Sequence, residues 1–281
     1  MKFWKMNGTG NDFVILNNME EKLPIEAFPN IARTVCERHL AIGADGLMVV
    51  DRPSEGVDAD YRMIFFNRDG SMGEMCGNGA RCISRYGYEN GLAGETQRVE
   101  TTAGIVIGQR VDRRNYRIRL NDPNHIRFDV PVEVDGTTYL CSYLELGDPG
   151  IPHCAVSIDH LREYPLADLF EIGRRIRNYE GFPKGANVNF YEIIGPDHIF
   201  ERTYERGVED FTYACGTGTG SMVTVLTLKG QVSGCGVRVD VEGGQLVVDV
   251  DRDGTDIKNL FLAGPTNIVA KGEITDEELN I

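Results

Sequence analysis

Nowhere in the 281 residues do apolar side chains run for the ~20 consecutive positions that a bilayer-spanning helix needs. The opening Met1-Lys2-Phe3-Trp4-Lys5 lacks the apolar centre of an export leader. A cytoplasmic protein with no membrane partner is therefore expected. Positive charge is also in short supply: 29 Lys and Arg stand against 43 Asp and Glu, a net −14. No basic patch offsets phosphate repulsion, which argues against nucleic acid as a partner. An anionic small molecule is not excluded, because a few local arginines and N–H groups outweigh net charge at a site. C-x-x-C and H-x-x-x-H spacings are both missing, so no metal is expected. There is no low-complexity linker.

What is present is an ordinary globular composition, 41% hydrophobic and 26% charged. At about 100–200 residues per domain, the length predicts one large or two medium domains. The seven cysteines are scattered and odd in number. In a reducing compartment such cysteines are reactive or simply buried, not paired. Two of them share a local frame, Cys76-Gly77-Asn78-Gly79 and Cys215-Gly216-Thr217-Gly218. Each precedes a stretch that reads as a helix. A thiol at a helix N-terminus feels the positive dipole end and the free N–H groups, so it is expected to be acidified. The same N–H groups form an anion site. A lone cysteine is more often a small buried hydrophobe, but repetition of the frame favours function for Cys76 and Cys215. Two thiols flanking one carboxylate-bearing molecule suit moving a proton between the two faces of a carbon, and they are expected to face each other across one cleft.

Short β-branched and aromatic runs bounded by Gly, Asn and Asp predict many strands. Helices are predicted near 30–39, 79–90, 166–178 and 219–229, with Gly91 and Gly230 as stops. The helix after Cys215 carries Met222, Val223, Val225, Leu226 and Leu228 and is apolar nearly all round, so it should be buried at a domain centre. The order of elements repeats in the two halves, with Thr102-Ala103-Gly104 and Glu242-Gly243-Gly244 in equivalent turns. The predicted fold is α+β: two pseudo-symmetric domains, each a curved, mostly antiparallel sheet or barrel around a central helix. The predicted division is 1–121 plus 265–281, carrying Cys76, and 122–264, carrying Cys215.

Other residues carry weaker indications. Glu205 could polarise a nearby thiol and Arg206 could clamp a carboxylate, although adjacent Glu and Arg also suit a surface ion-pair edge. A loop at Pro152-His153-Cys154 offers a histidine that could do for Cys76 what Glu205 does for Cys215, although a lone histidine is more often structural. Asn11, Asn67, Asn78, Asn187 and Asn189 lie in Gly-rich or Asp-rich turns, whose default explanation is turn chemistry. Gathered round one cleft, they would instead serve ammonium and carboxylate groups.

Taken in order, Phe3–Phe13, Ile42-Gly43-Ala44-Asp45-Gly46, Phe66–Ser71, Met75–Cys82, Pro152-His153, Asn187–Phe190, Tyr204–Gly207 and Ala214–Gly218 resemble the diaminopimelate epimerases along essentially the whole chain. These enzymes interconvert LL- and meso-diaminopimelate for lysine and peptidoglycan-precursor synthesis, without a cofactor. The resemblance implies that Cys76 and Cys215 transfer the proton and that His153 and Glu205 tune them. It implies that Gly77, Asn78, Gly216 and Thr217 hold the α-carboxylate, and that Asn11, Asn67, Asn187, Glu205 and Arg206 hold amines and the distal carboxylate. It also implies a homodimer. The chain departs from the family pattern at Asn7, often His, and at Ile151, often Asn. It departs again after Cys215, where a more Ala-rich run is common. A sister amino-acid racemase with the same two-thiol chemistry is the alternative, motivated by Ile151. A thiol redox or ligand-binding protein without turnover is the third reading.

Overall fold

The computed structural model describes residues 1–73 and 76–275. Met75 of the first cysteine motif and residues 276–281 of the first predicted domain lie outside the described residues. Internal contacts divide the chain into two units, Met1–Ile118 with Gly264–Ile281, and Arg119–Ala263. Among the described residues, no helix is long and apolar enough to cross a membrane.

The first unit contains β1 (Lys2–Gly8), β2 (Asn11–Asn17), α1 (Asn18–Glu21), α2 (Phe28–Val35), β3 (Gly46–Asp51) and β4 (Tyr61–Asn67). It continues through β5 (Met72–Gly73), α3 (Gly77–Glu89), β6 (Thr96–Thr101), β7 (Gly104–Arg110) and β8 (Asn115–Leu120). The second unit contains β9 (Pro123–Val134), β10 (Thr137–Leu146), β11 (Ile151–Ser157), α4 (Leu166–Arg177), β12 (Asn187–Gly195) and β13 (His198–Glu205). It ends with β14 (Asp210–Thr212), α5 (Gly216–Leu228), β15 (Val237–Val241), β16 (Gly244–Asp253) and β17 (Asp256–Pro265), before β18 (Asn267–Glu273) returns to the first unit. The strands that the sequence predicts, at 13–17, 47–50, 61–66, 98–101, 105–111 and 116–120 in the first half and 138–146, 154–158, 188–193, 199–204, 237–241, 246–250 and 268–272 in the second, do not include β1, β5, β9, β14 or β17. β9 begins at a proline, contains another, and exposes half of its residues without a clean alternation.

Both units have one topology. In the first the strand order is β18-β1-β2-β3-β4-β6-β7-β8, with β5 added to β4. In the second it is β9-β10-β11-β12-β13-β15-β16-β17, with β14 added to β13. Pairings are antiparallel except β2/β3 and β4/β6, and correspondingly β11/β12 and β13/β15. Parallel neighbours need a crossover, which is where α2, α3, α4 and α5 lie. The registers match residue for residue. Phe13 pairs with Gly46 as His153 pairs with Asn187, and Leu47 with Phe66 as Val188 with Tyr204. Phe66 pairs with Met72 as Tyr204 pairs with Phe211. Cys76 and Cys215 therefore occupy one position of a duplicated α+β unit.

Each sheet buries both faces. In the first unit, Val14, Leu16, Leu47, Val49, Ile64 and Phe66 cover Phe28, Ile31 and Val35 of α2. The opposite face, with Phe13, Ile15, Met48 and Met63, covers Cys82, Ile83 and Tyr86 of α3. In the second unit, Cys154, Val156, Val188, Phe190 and Tyr204 pack with Leu169, Ile172 and Ile176 of α4. The alternating residues of β11, β12 and β13 lie on the α5 face. α5 contacts β10, β11, β12 and β16, strands far apart in the order, so the sheet curls around it. Its residues from Gly218 to Thr227 are buried, as its apolar circumference predicts.

Candidate functional site

Within the first unit, α3 begins directly after Cys76, whose extended backbone (φ −125°, ψ 117°) makes it the N-cap residue. The helix starts two residues earlier than predicted, because Gly77 and Asn78 adopt helical geometry instead of prolonging the turn. The Cys76 thiol donates to Asn11 Oδ1 at 3.3 Å. Asn11 is held in that orientation because its Nδ2 donates to Asp45 Oδ2 at 2.6 Å. Asp45 also accepts from the Asp12 backbone N–H and from Arg38. Asp45 is part of the matched Ile42–Gly46 segment, yet nothing in the sequence marked it as the group that aims Asn11.

Below Cys76 lies Arg81, fully buried. One guanidinium nitrogen donates to Thr9 Oγ1 and to Asn78 Oδ1, both at 2.8 Å. Among the described residues its Nε and Nη1 have no hydrogen-bond partner, and burial lowers its pKa to about 10. Asn78 thus has its side-chain oxygen engaged internally. Asn67 ends β4 and donates to Ser71 Oγ at 2.9 Å, so part of its amide serves turn closure.

Within the second unit, α5 begins after Cys215 (φ −112°, ψ 101°), with Gly216 as its first residue. The Cys215 sulfur lies 3.7 Å from Thr217 Oγ1 and accepts from the Gly218 N–H. A Cβ on Gly218 would sit 2.1 Å from Asn189 Oδ1 and 3.2 Å from Cys215 Sγ, so only glycine fits between thiol and strand. The expected acidification of Cys215 does not hold here. Burial pushes the thiol well above its usual value, Glu205 and Glu201 push it further, and the Thr217 and Gly218 contacts pull the other way without prevailing.

Glu205 ends β13, accepts from Thr212 Oγ1 at 2.8 Å, and is raised by burial. Asn187 is fixed from two sides: its Nδ2 donates to Pro152 O at 3.2 Å, and its Oδ1 accepts from the Arg206 N–H at 2.8 Å. Arg206 is exposed and donates to Lys184 O at 2.9 Å. Pro152-His153-Cys154 is not a loop but the interior of β11, since the parallel pairing to β12 requires it. His153 is buried with neither ring nitrogen partnered among the described residues. Burial first, then Arg206, lowers its pKa to about 3, so it is a neutral imidazole.

The duplicated registers align Asn11 with Ile151, Gly46 with Asn187 and Asn67 with Glu205. Cys76 has the amide oxygen of Asn11 as acceptor, and the second unit carries an isoleucine, Ile151, at the position corresponding to Asn11. Among the described residues no group of three or more His, Cys, Asp or Glu is arranged to hold a metal ion.

The family model described as diaminopimelate epimerase matches residues 3–126 and 147–269. A diaminopimelate epimerase of Archaeoglobus fulgidus is 40% identical over 289 residues, covering 99% of this chain and 97% of that one. One from Aquifex aeolicus is 37% identical over 290 residues, covering 99% of both. Among solved structures, a hydroxyproline epimerase from Agrobacterium vitis superposes with a TM-score of 0.71 at 15% identity, covering 98% of this chain and 90% of that one. A probable proline racemase from Agrobacterium radiobacter gives 0.69 at 15% identity, covering 99% and 95%. At that identity these two likenesses speak to fold alone.

Proposed function

The chain belongs to the diaminopimelate epimerase family, and we propose that it epimerises diaminopimelate with Cys76 and Cys215 as its two acid–base groups. The protein is an isomerase of the epimerase class. The observation that carries the assignment of residues is the repeated frame: two cysteines, each the N-cap of a long helix, at one position of a duplicated unit.

In this reading one cysteine is a thiolate and the other a thiol. The thiolate sulfur takes the Cα proton, leaving its electron pair on carbon. The thiol then delivers its proton to the opposite face and becomes the thiolate. Total protons are conserved, and the reverse reaction exchanges the roles. The α-proton is weakly acidic, so negative charge developing on Cα and its carboxylate must be stabilised. The backbone N–H groups of Gly77, Asn78, Gly216 and Thr217, at two helix N-termini, supply that field. Asn11, Asn67, Asn187, Glu205 and Arg206 are proposed to hold the amines and the distal carboxylate, and His153 to act as a neutral hydrogen-bonding neighbour. A cytoplasmic homodimer belongs to the same reading, and sedimentation tests the dimer.

The test is solvent deuterium. Incubation with diaminopimelate in deuterated water should incorporate label at Cα while the stereochemistry equilibrates. Ile151, at the position of Asn11, favours one second reading, a racemase of another amino acid. Label entering lysine, glutamate or histidine but not diaminopimelate would select it.

A further inference from the structure

Beneath Cys215 lies a polar pair that the reaction as described does not use. Glu201, in β13, is 1% exposed, and its Oε2 is 2.5 Å from Thr219 Oγ1. Thr219, in the first turn of α5, is fully buried, and its hydroxyl is also 3.0 Å from the carbonyl oxygen of Cys215. The other carboxyl oxygen of Glu201 has no partner among the described residues. We propose that Glu201 and Thr219 form a buried relay that anchors the start of α5 and governs how readily the Cys215 thiol ionises, making Glu201 a positioning residue for the reaction.

The first support is a proton count. Thr219 has one hydroxyl proton and two oxygen neighbours. If it donates to the Cys215 carbonyl, it must accept from Glu201, which is then the protonated acid. Every proton is used, and the chain of donors ends on the backbone of the cysteine itself. If Glu201 ionises, Thr219 turns to the carboxylate and the Cys215 carbonyl keeps only the Thr219 backbone N–H, at 2.9 Å. The unpartnered oxygen then carries charge in the interior, which is costly. Burial accordingly raises the Glu201 pKa to about 8, with the Thr219 hydrogen bond acting against it.

The second support is internal to the molecule. The registers place Glu201 at the position of Met63, Thr219 at that of Ala80, and Asn189 at that of Met48. The first unit builds the same helix start over methionines and an alanine. The fold therefore does not require a carboxyl or a hydroxyl here, and the pair is a feature of the Cys215 side alone.

The surroundings leave Glu201 as a local switch. On its own strand, Thr203 and Glu205 share its face; from β12 come Tyr191 and Asn189, and from β11 Ser157 and the neutral His153. β15 presents Val237, Val239 and Val241 on that face, with Arg238 and Asp240 on the other. At the start of α5, Thr219 and the N-cap residue Cys215 complete these surroundings. No cation faces Glu201 from these elements, so its ionisation places an uncompensated charge near Cys215, and that charge raises the thiol further.

This inference rests on the reading of Cys215 as an acid–base group, and its test does not need turnover. Iodoacetamide alkylation of the Cys215 peptide is followed across about pH 7 to 11 in the full-length protein, with Cys76 as internal reference. In Glu201→Gln the Cys215 titration should move to lower pH by about one unit, because a nearby negative charge is gone. Glu201→Met with Thr219→Ala reproduces the first unit's pair and should shift it the same way. This second variant guards against a failure of the Gln variant to fold. In wild-type protein, an infrared band of a protonated carboxyl should vanish as pH passes about 8 and be missing from Glu201→Gln. An unchanged Cys215 titration in both folded variants overturns the relay. Absence of Cα–H exchange in wild-type protein would instead overturn the epimerase reading and leave the thiol titration as it stands.

Discussion

A thiol at a helix start lies between two opposing effects, the field of the helix and the cost of burial, and Cys76 and Cys215 have different surroundings. Cys76 is partly exposed, donates to an oriented amide, and has a buried guanidinium in its unit that interacts with it favourably. Cys215 is buried beside two carboxyls. Both should nevertheless be indispensable. Cys76→Ala or Cys215→Ala should each lower Cα–H exchange on the order of 10²–10⁴-fold, whereas Cys235→Ala, at an exposed position, should not. Asp45→Ala should weaken catalysis by about 1.5–3 kcal/mol in kcat/KM, because Asn11 loses the charged acceptor that aims its oxygen at the thiol. Two buried neutral groups also shape stability against pH. His153 stays unprotonated in the fold down to about 3 but takes a proton near 6.5 when unfolded, so its contribution is complete above 6.5 and is lost as pH falls towards 3. Glu201 keeps its proton up to about 8 in the fold but loses it near 4.5 when unfolded, so stability declines as pH rises between those values. Urea midpoints should show Glu201→Gln gaining on wild type across that second window. A constant difference would contradict it.

At the scale of elements, the helices that carry the cysteines are held by close approach as much as by apolar area. Gly8 of β1 abuts the first turn of α3: a Cβ there would meet the Asn78 carbonyl oxygen at 2.8 Å and Cys82 Sγ at 3.1 Å. Because one of those neighbours is backbone, relief requires α3 to move. Gly8→Ala should destabilise by about 1–3 kcal/mol and lower exchange activity as well, measured by denaturant unfolding alongside turnover. α5 lacks the polar stripe of a surface helix, which is why its burial could be predicted from Met222 to Leu228. Leu226 has no exposed surface, and its truncation to alanine should cost about 2–5 kcal/mol. β11 illustrates the opposite case. Pro152-His153-Cys154 reads along the chain as a loop, but parallel pairing to β12 extends it and brings His153 level with Asn187.

For the molecule as a whole, duplication is the central fact, since each half supplies one cysteine in one frame. If the two thiols serve a single substrate, the double variant Cys76→Ala/Cys215→Ala should be no worse than either single one, because groups that act as a unit are not additive. Losses that multiply would show that the thiols act independently.

The sequence by itself determined the repeated Cys-Gly-x-Gly helix starts, the buried central helix, the α+β class and the family. Each of these is written in local pattern, in a cap, a period or a motif, and needs no knowledge of what packs against it. Tertiary structure alone decided the rest. Glu201 reads along the chain as one more acidic strand residue; only the β12–β13–β15 register turns it inward beneath α5. Asp45 aims Asn11 only because β2 and β3 run side by side. The thiol of Cys215 is raised, not lowered, because desolvation depends on what surrounds a group on every side. A linear sequence specifies the helix dipole beneath that cysteine but not the low-dielectric surroundings that outweigh it.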